Sequence, residues 1–116
     1  MTKTAVVILN WNGIRHKHLS NFLPNVLKHS SADAEVIVAD NHSDDDSISY
    51  LKDHHPEVRV IENPSNDGFA SGYNLALKQI EAEYYILLNS DIEVSENWIK
   101  PVIAMMDNDP SIAACQ

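Results

Sequence analysis

The chain opens on an unbroken apolar run, Thr4-Ala5-Val6-Val7-Ile8-Leu9, rich in β-branched residues and without alternation. A half-exposed strand would alternate apolar with polar residues, so this run predicts a strand covered on both faces. Asn10-Trp11-Asn12-Gly13 ends it. Leu19, Phe22, Leu23, Val26 and Leu27 then recur at spacings of three and four, the period of an amphipathic helix, with Pro24 expected to kink or restart it. Glu35 to Ala39 reads as a second buried strand ending at Asp40. Asn41 to Asp46 is a polar turn in which Ser43 and Asp46 have the spacing to cap a short helix carrying Ile48 and Leu51. Val58 to Ile61 is a third strand, stopped by Asn63-Pro64-Ser65-Asn66. A helix is expected from about Gly68 to Glu81, with Phe69, Tyr73, Ala76, Leu77 and Ile80 along one side. Tyr84 to Leu88 is a fourth strand, and Asn89-Ser90-Asp91 leaves its end. Ser95 or Asn97 would open a last helix through Ile99, Val102, Ile103 and Met106, with Met105-Met106 as its core and rim. Ser111 to Cys115 is expected to start a fifth strand.

This strict alternation predicts an α/β domain: a mostly parallel, Rossmann-like sheet with helices on both faces and right-handed crossovers. Residues 1–116 read as one domain, and a chain of this length buries roughly 65% of the surface its unfolded form exposes. In such sheets ligands bind at the carboxyl ends of the strands. Asn10 to Gly13, Asp40 to Ser43 and Asn89 to Asp91 all fall at such ends.

Charge narrows the ligand. Seventeen acidic against eight basic residues give a formal net charge of −9. That field disfavours nucleic acid and anionic membrane surfaces. It also opposes an anionic small molecule unless a divalent cation sits between ligand and protein. The lone cysteine, Cys115, has no partner for an internal disulfide, as expected for a reducing compartment. The apolar run Ala5 to Leu9 is too short for a signal-peptide core or a membrane span. The expected location is cytoplasmic, with attachment at the inner membrane face only through a segment outside this sequence.

Each polar cluster has two readings. Asp91, at the mouth of a buried strand, is a hard carboxylate suited to Mg²⁺ or Mn²⁺, ions that take their remaining ligands from waters and phosphates; Asn-Ser-Asp is equally ordinary turn chemistry. Asp40 could accept hydrogen bonds from a base or ribose, or simply cap the turn through Asn41 to Ser43. Asp44-Asp45-Asp46 reads as the solvated first turn of a helix. Gly68 and Gly72, four apart, let a backbone approach either a ligand or a neighbouring strand. Their position is not that of a dinucleotide fingerprint, whose glycines directly follow the first strand. The six histidines show no metal spacing: His16 and His18 are too close to share a helix face, and His54-His55 end a helix before Pro56.

Together these segments resemble the family-2 glycosyltransferases of the GT-A fold, particularly their rhamnosyltransferase-like branch. The matching stretches are Val6 to Gly13, Val36 to Asp44, Asn66 to Asn74 and Ile86 to Asp91, in family order and spacing. The resemblance implies a nucleotide-sugar-binding role. Asn10, Trp11, Asn12 and Asp40 would flank base and ribose, Asn41 and Ser43 would join them in binding the nucleotide sugar, and the Asn66 to Asn74 segment, with Gly68, Gly72 and Asn74, would line the donor pocket beside the diphosphate. Asp91 matches the metal-ligating aspartate of the family's Asp-X-Asp motif. Asn89 replaces the first aspartate, leaving it at best a neutral ligand or ribose contact, with Ser90 between them. A Mg²⁺ or Mn²⁺ ion would reconcile the chain's −9 charge with a UDP, GDP or dTDP sugar.

The resemblance further implies inverting transfer to a glycan or lipid-linked acceptor, with a carboxylate general base in an acceptor-binding half. No residue here is a candidate for that base; Asp107 and Asp109 lie at a helix end. The expectation is therefore a domain truncated before its acceptor half, able to hold a donor but not to transfer it. Its sheet edge near Ala113 to Gln116 would invite self-association. A response-regulator receiver would need an acidic pair after the first strand and a lysine after the fifth. A sugar-phosphate nucleotidyltransferase would need a longer basic glycine-rich loop than Asn12-Gly13-Ile14-Arg15. The remaining rival is a non-catalytic nucleotide-sugar-binding or assembly module.

Overall fold

The computed structural model describes residues 2–116. Its elements run β1 (Thr2–Asn10), α1 (His18–Ser30), β2 (Glu35–Asp40), α2 (Ser47–His54), β3 (Arg59–Glu62), α3 (Phe69–Leu77), β4 (Ala82–Asn89) and α4 (Lys100–Asn108). The four strands pair in parallel in the order β3-β2-β1-β4.

The unbroken apolar run of β1 follows from this order, because β1 lies between β2 and β4 and is covered on both faces. On one face Val6 and Ile8 pack with Val36, Val38 and Leu88 against Leu19, Leu23 and Val26 of α1, Leu51 of α2 and Ile99. On the other, Ala5, Val7 and Leu9 pack with Ile37, Ala39 and Ile61 against Tyr73 and Ala76 of α3 and Ile80. Each fully buried aliphatic side chain stabilises the fold by about 1.5–3 kcal/mol. The register sets Asn10 beside Asp40 and Leu9 beside Asn89, so the polar residues that end the central strands share one rim of the sheet.

Local expectations shift at several points. Helix α1 runs without interruption through Pro24. Pro24 and Ser20 are both exposed, so the carbonyl left without a helical partner lies beside water. Helix α3 ends at Leu77 rather than Glu81, because Ile80 must turn under the sheet before β4 starts at Ala82. Ser43 does not cap α2. That helix starts at Ser47, whose backbone N–H donates to Asp45 Oδ1 at 2.9 Å. Helix α4 starts at Lys100 with Pro101 in its first turn, after Asn97 takes a left-handed conformation at φ 55°. It buries none of its residues, and Met105 is exposed rather than core.

Ser111 to Cys115 form no strand. Ser111 and Ile112 instead fold back in a turn whose backbone N–H groups donate to Asp109. The open rim near β1 therefore lies along β4 rather than at Ala113 to Gln116, with Tyr85 and Leu87 exposed on one side. Among the described residues no helix is long and apolar enough to cross a membrane.

At the amino ends of the strands, α4 is tied to the sheet by charge. Asp107 accepts a hydrogen bond from Lys3 Nζ at 2.8 Å and from the Tyr84 hydroxyl at 2.6 Å. These two bonds hold the Asp107 carboxyl below the usual carboxylate range. The bond to Asp107 likewise raises Lys3 and pushes the Tyr84 phenol up to about 12. A depressed carboxylate stabilises the fold above its unfolded value and loses that effect as pH falls through the folded one. A raised lysine stabilises below its unfolded value and loses the effect as pH rises through the folded one. We expect Asp107→Asn to lower the melting temperature modestly at neutral pH, as befits an exposed pair. Its melting temperature should also fall less steeply than the parent's once pH drops below 3.8, the ordinary carboxyl value. Identical acid-side slopes in thermal melts of the two proteins would rule the clamp out.

Candidate functional site

The polar rim begins with a buried carboxylate. Asp40, fully buried at the end of β2, accepts from Asn10 Nδ2 at 3.0 Å, from the Ser43 backbone N–H at 2.9 Å and from the Ser43 hydroxyl at 2.6 Å. Ser43 Oγ accepts in turn from the Asn12 backbone N–H at 2.9 Å, and Asn12 Oδ1 accepts from the Asp44 N–H at 2.9 Å. Asn12 and His42 hold left-handed conformations at φ 52° and 62°, which fold both loops tightly enough to interlock. Further along, Ile14 and Arg15 donate backbone N–H bonds to Ser47 Oγ and Asp45 Oδ2 at 3.3 and 2.9 Å. Burial opposes ionisation of Asp45, but the bonds from Ser47 and from the Arg15 backbone outweigh it and hold its carboxyl below the ordinary range.

A second polar group joins β2 and β3 to α3. Asn41 Nδ2 donates to Asn66 Oδ1 at 2.8 Å and to the Gly68 carbonyl at 3.3 Å. Buried Asn63 donates to Asn41 Oδ1 at 3.2 Å and to the Gly72 carbonyl at 3.1 Å. Gly68 takes φ 99°, a conformation that side chains resist. Gly72 lies against Asn41 and Leu9, so that helix, strand and loop meet closely there.

The third group is open. Asn89, Ser90 and Asp91 follow β4 and line a recess of about 270 Å³ together with Leu9, His18 and Phe69. Asp91 is exposed, and among the described residues it makes no hydrogen bond or ion pair. Phe69, expected on the packed side of its helix, is 61% exposed and forms one wall, with its ring 4.9 Å from that of Tyr73. The Tyr73 hydroxyl donates to the Leu88 carbonyl at 3.0 Å, fixing α3 over the end of β4; burial raises that phenol. His18 also lines the recess, with Nδ1 3.4 Å from Ser90 Oγ. Helices α1 and α3 both begin at this rim. Neither has a side-chain cap or an acidic residue in its first turn, although in α1 the Leu19 N–H donates to the Gly13 carbonyl at 3.2 Å.

The structure thus separates the sequence candidates. Asn89, Ser90 and Asp91 share the recess. Asn10, Asp40 and Ser43 form a knot with their side chains bonded to one another, and Asn12 joins it through its backbone N–H. Asn41, Gly68 and Gly72 secure the base of α3. Trp11 is 46% exposed, its ring 6.3 Å from that of His16. Asn74 is exposed on α3 and does not line the recess.

Two residues here carry no local signal in the sequence. Asn63 reads as a strand stop, and nothing local marks it as a bridge. His16 and His18 are too close to share a helix face, yet their rings lie 5.7 Å apart. The helix starts only at His18, and Lys17 takes a left-handed φ of 62°, which brings neighbours two apart to one side. Among the described residues no three His, Cys, Asp or Glu side chains cluster as a metal cage. A cation at Asp91 would therefore draw most of its ligands from phosphate and water, as Mg²⁺ and Mn²⁺ do.

The sequence model described as Glycosyl transferase family 2 matches residues 5–116. The poly(ribitol-phosphate) β-N-acetylglucosaminyltransferase TarP of Staphylococcus aureus is 33% identical over 96 residues, covering 78% of this chain and 29% of that enzyme. Crystalline S. aureus TarS 1-349 in complex with UDP-GlcNAc superposes with a TM-score of 0.76 at 24% identity, over 91% of this chain and 31% of that one. The mannosyltransferase PcManGT of Pyrobaculum calidifontis, in complex with GDP-Man and Mn²⁺, gives a TM-score of 0.79 at 19% identity, over 96% and 34%. These structures share the GT-A fold. The chain spans about a third or less of the length of the relatives it matches.

A methyl group on Gly72 would lie 2.9 Å from both Asn41 Oδ1 and Leu9 Cδ1. We expect Gly72→Ala to lower unfolding stability in urea by about 1–3 kcal/mol, the range for overpacking a tight contact. An unchanged unfolding midpoint would mean that α3 can slide away from β1 at no cost.

Proposed function

The chain belongs to glycosyl transferase family 2, and from that premise we propose that it forms the donor-holding domain of a longer inverting glycosyltransferase. The observation that carries this reading is the free carboxylate of Asp91, set in a recess that the first residues of α1 and α3 also line, at the carboxyl rim of the sheet. Such a recess suits the diphosphate of a nucleotide sugar.

In this reading Asp91 holds a Mg²⁺ or Mn²⁺ ion, with Asn89 as neutral ligand or ribose contact. The bound cation would neutralise the diphosphate and stabilise it as a leaving group. Such an ion also offsets a chain charge of −9. The Asp40 knot acts indirectly: both carboxylate oxygens are already bonded to this chain, so Asp40, Asn10, Asn12 and Ser43 shape the nucleoside side of the recess. Trp11 is the exposed aromatic surface beside it. Gly68, Gly72 and Asn74 belong to the donor side through α3.

The donor is a UDP, GDP or dTDP sugar, and the acceptor a glycan or lipid-linked hydroxyl compound bound by the rest of the enzyme. The general base also lies in that part, since Asp107 is held by Lys3 and Tyr84 at the far end of the strands. This domain alone would bind without transferring. A cytoplasmic site of action agrees with an exposed, unpaired Cys115.

Thermal melts with UDP, GDP and dTDP, each with and without Mn²⁺, test the reading. One nucleotide should raise the melting temperature in a Mn²⁺-dependent way, with about 2.7 kcal/mol added at a hundredfold excess over the dissociation constant. Asp91→Ala should keep the fold and lose the Mn²⁺ dependence. The reading fails if no nucleotide stabilises the well-folded protein with or without metal.

A further inference from the structure

The recess that receives the donor in the reading above is lined by Leu9, His18, Phe69, Asn89, Ser90 and Asp91. Two of these six are apolar and one is a carboxylate, which leaves Asn89, Ser90 and His18 as the side chains with a hydrogen to donate. Arg15 is the nearest guanidinium in sequence, but its side chain is drawn away by Asp44 at 2.7 Å. Of these donors, His18 is the one, among the described residues, that comes from outside the Asn89-Ser90-Asp91 segment.

Its placement is built rather than incidental. His18 is the first residue of α1, and Leu19 beside it is buried in the core. The rings of His16 and Phe22 lie 5.7 and 6.4 Å from its own. Ser90 Oγ lies 3.4 Å from Nδ1. With the Ser90 hydroxyl donating to Nδ1, the ring proton resides on Nε2, which leaves one N–H free for a ligand. The imidazole donates that bond whether or not it is charged.

We propose that His18 is a ligand-binding residue of this site: its Nε2–H donates to a diphosphate oxygen of the nucleotide, and Ser90 fixes the tautomer that makes this possible. The role rests on the donor-holding reading and adds to it a contact on the α1 side of the recess. It also gives a cation-dependent site a direct protein contact to the phosphates.

The test uses the nucleoside diphosphate that stabilises the parent most, and the corresponding nucleoside, both titrated calorimetrically with Mn²⁺ present. His18→Ala should weaken diphosphate binding about tenfold to a hundredfold, the range for a hydrogen bond to a charged group, and leave nucleoside binding unchanged. His18→Gln, which restores an N–H donor, should recover part of the loss. Equal diphosphate affinity in parent and His18→Ala would overturn the proposal while leaving the donor reading intact. So would an equal loss for nucleoside and diphosphate in a folded variant, the mark of a structural role. Should His18→Ala not fold, His18→Phe, which keeps the ring packing, replaces it under the same criteria. A parent that binds no nucleotide would overturn the donor reading and this contact with it.

Discussion

The buried carboxylate of Asp40 is the constraint on which the rest of this site depends. A charge removed from water must be met by hydrogen bonds or it costs several kcal/mol. Here Asn10 and Ser43 meet it from two loops that are distant in sequence. The bonds that follow, Asn12 to Ser43, Asp44 to Asn12, Ile14 to Ser47 and Arg15 to Asp45, sew the loop after β1 to the loop after β2. Because α1 leaves the first of these loops, the stitching sets where its first residue lies. His18 stands beside Ser90 through the same chain of contacts that satisfies Asp40.

The recess is correspondingly asymmetric. Its α3 wall is anchored by packing and by the bonds of Asn41, Asn63 and Tyr73. Its α1 wall depends on loop hydrogen bonds and on Leu19 in the core. Between them β4 brings Asn89, Ser90 and Asp91 to the rim, with one flank of the strand open. The first residues of α1 and α3, His18 and Phe69, line the recess. In the donor-holding reading, a cation at Asp91 would offset the charge of a bound diphosphate despite the net charge of the chain.

Membership of glycosyl transferase family 2 and the GT-A fold account for the sheet and the position of the recess. They do not by themselves account for the residues that line it. TarS and PcManGT share the fold at 24% and 19% identity, and their complexes carry different nucleotides, UDP-GlcNAc and GDP-Man. Trp11, His18 and Phe69 lie at this rim outside the fully buried core.

The sequence alone determined the α/β class, the four strands and the placing of polar clusters at their carboxyl ends. A strand buried on both faces loses its alternation, and the polar residue that stops it must sit at an end. Asn10, Asp40 and Asn89 were legible for that reason. The tertiary structure decided what those residues do: Asp40 turned inward, Asp91 remained free, Asn63 became a bridge, and Phe69 left the core for the recess wall. It also moved the open edge to β4, since Ser111 to Cys115 form no strand. His18 and Ser90 are 72 residues apart, and no periodicity or local spacing carries such a contact. Local pattern encodes which face a residue prefers, whereas partners across a sheet are chosen only when the whole core has closed.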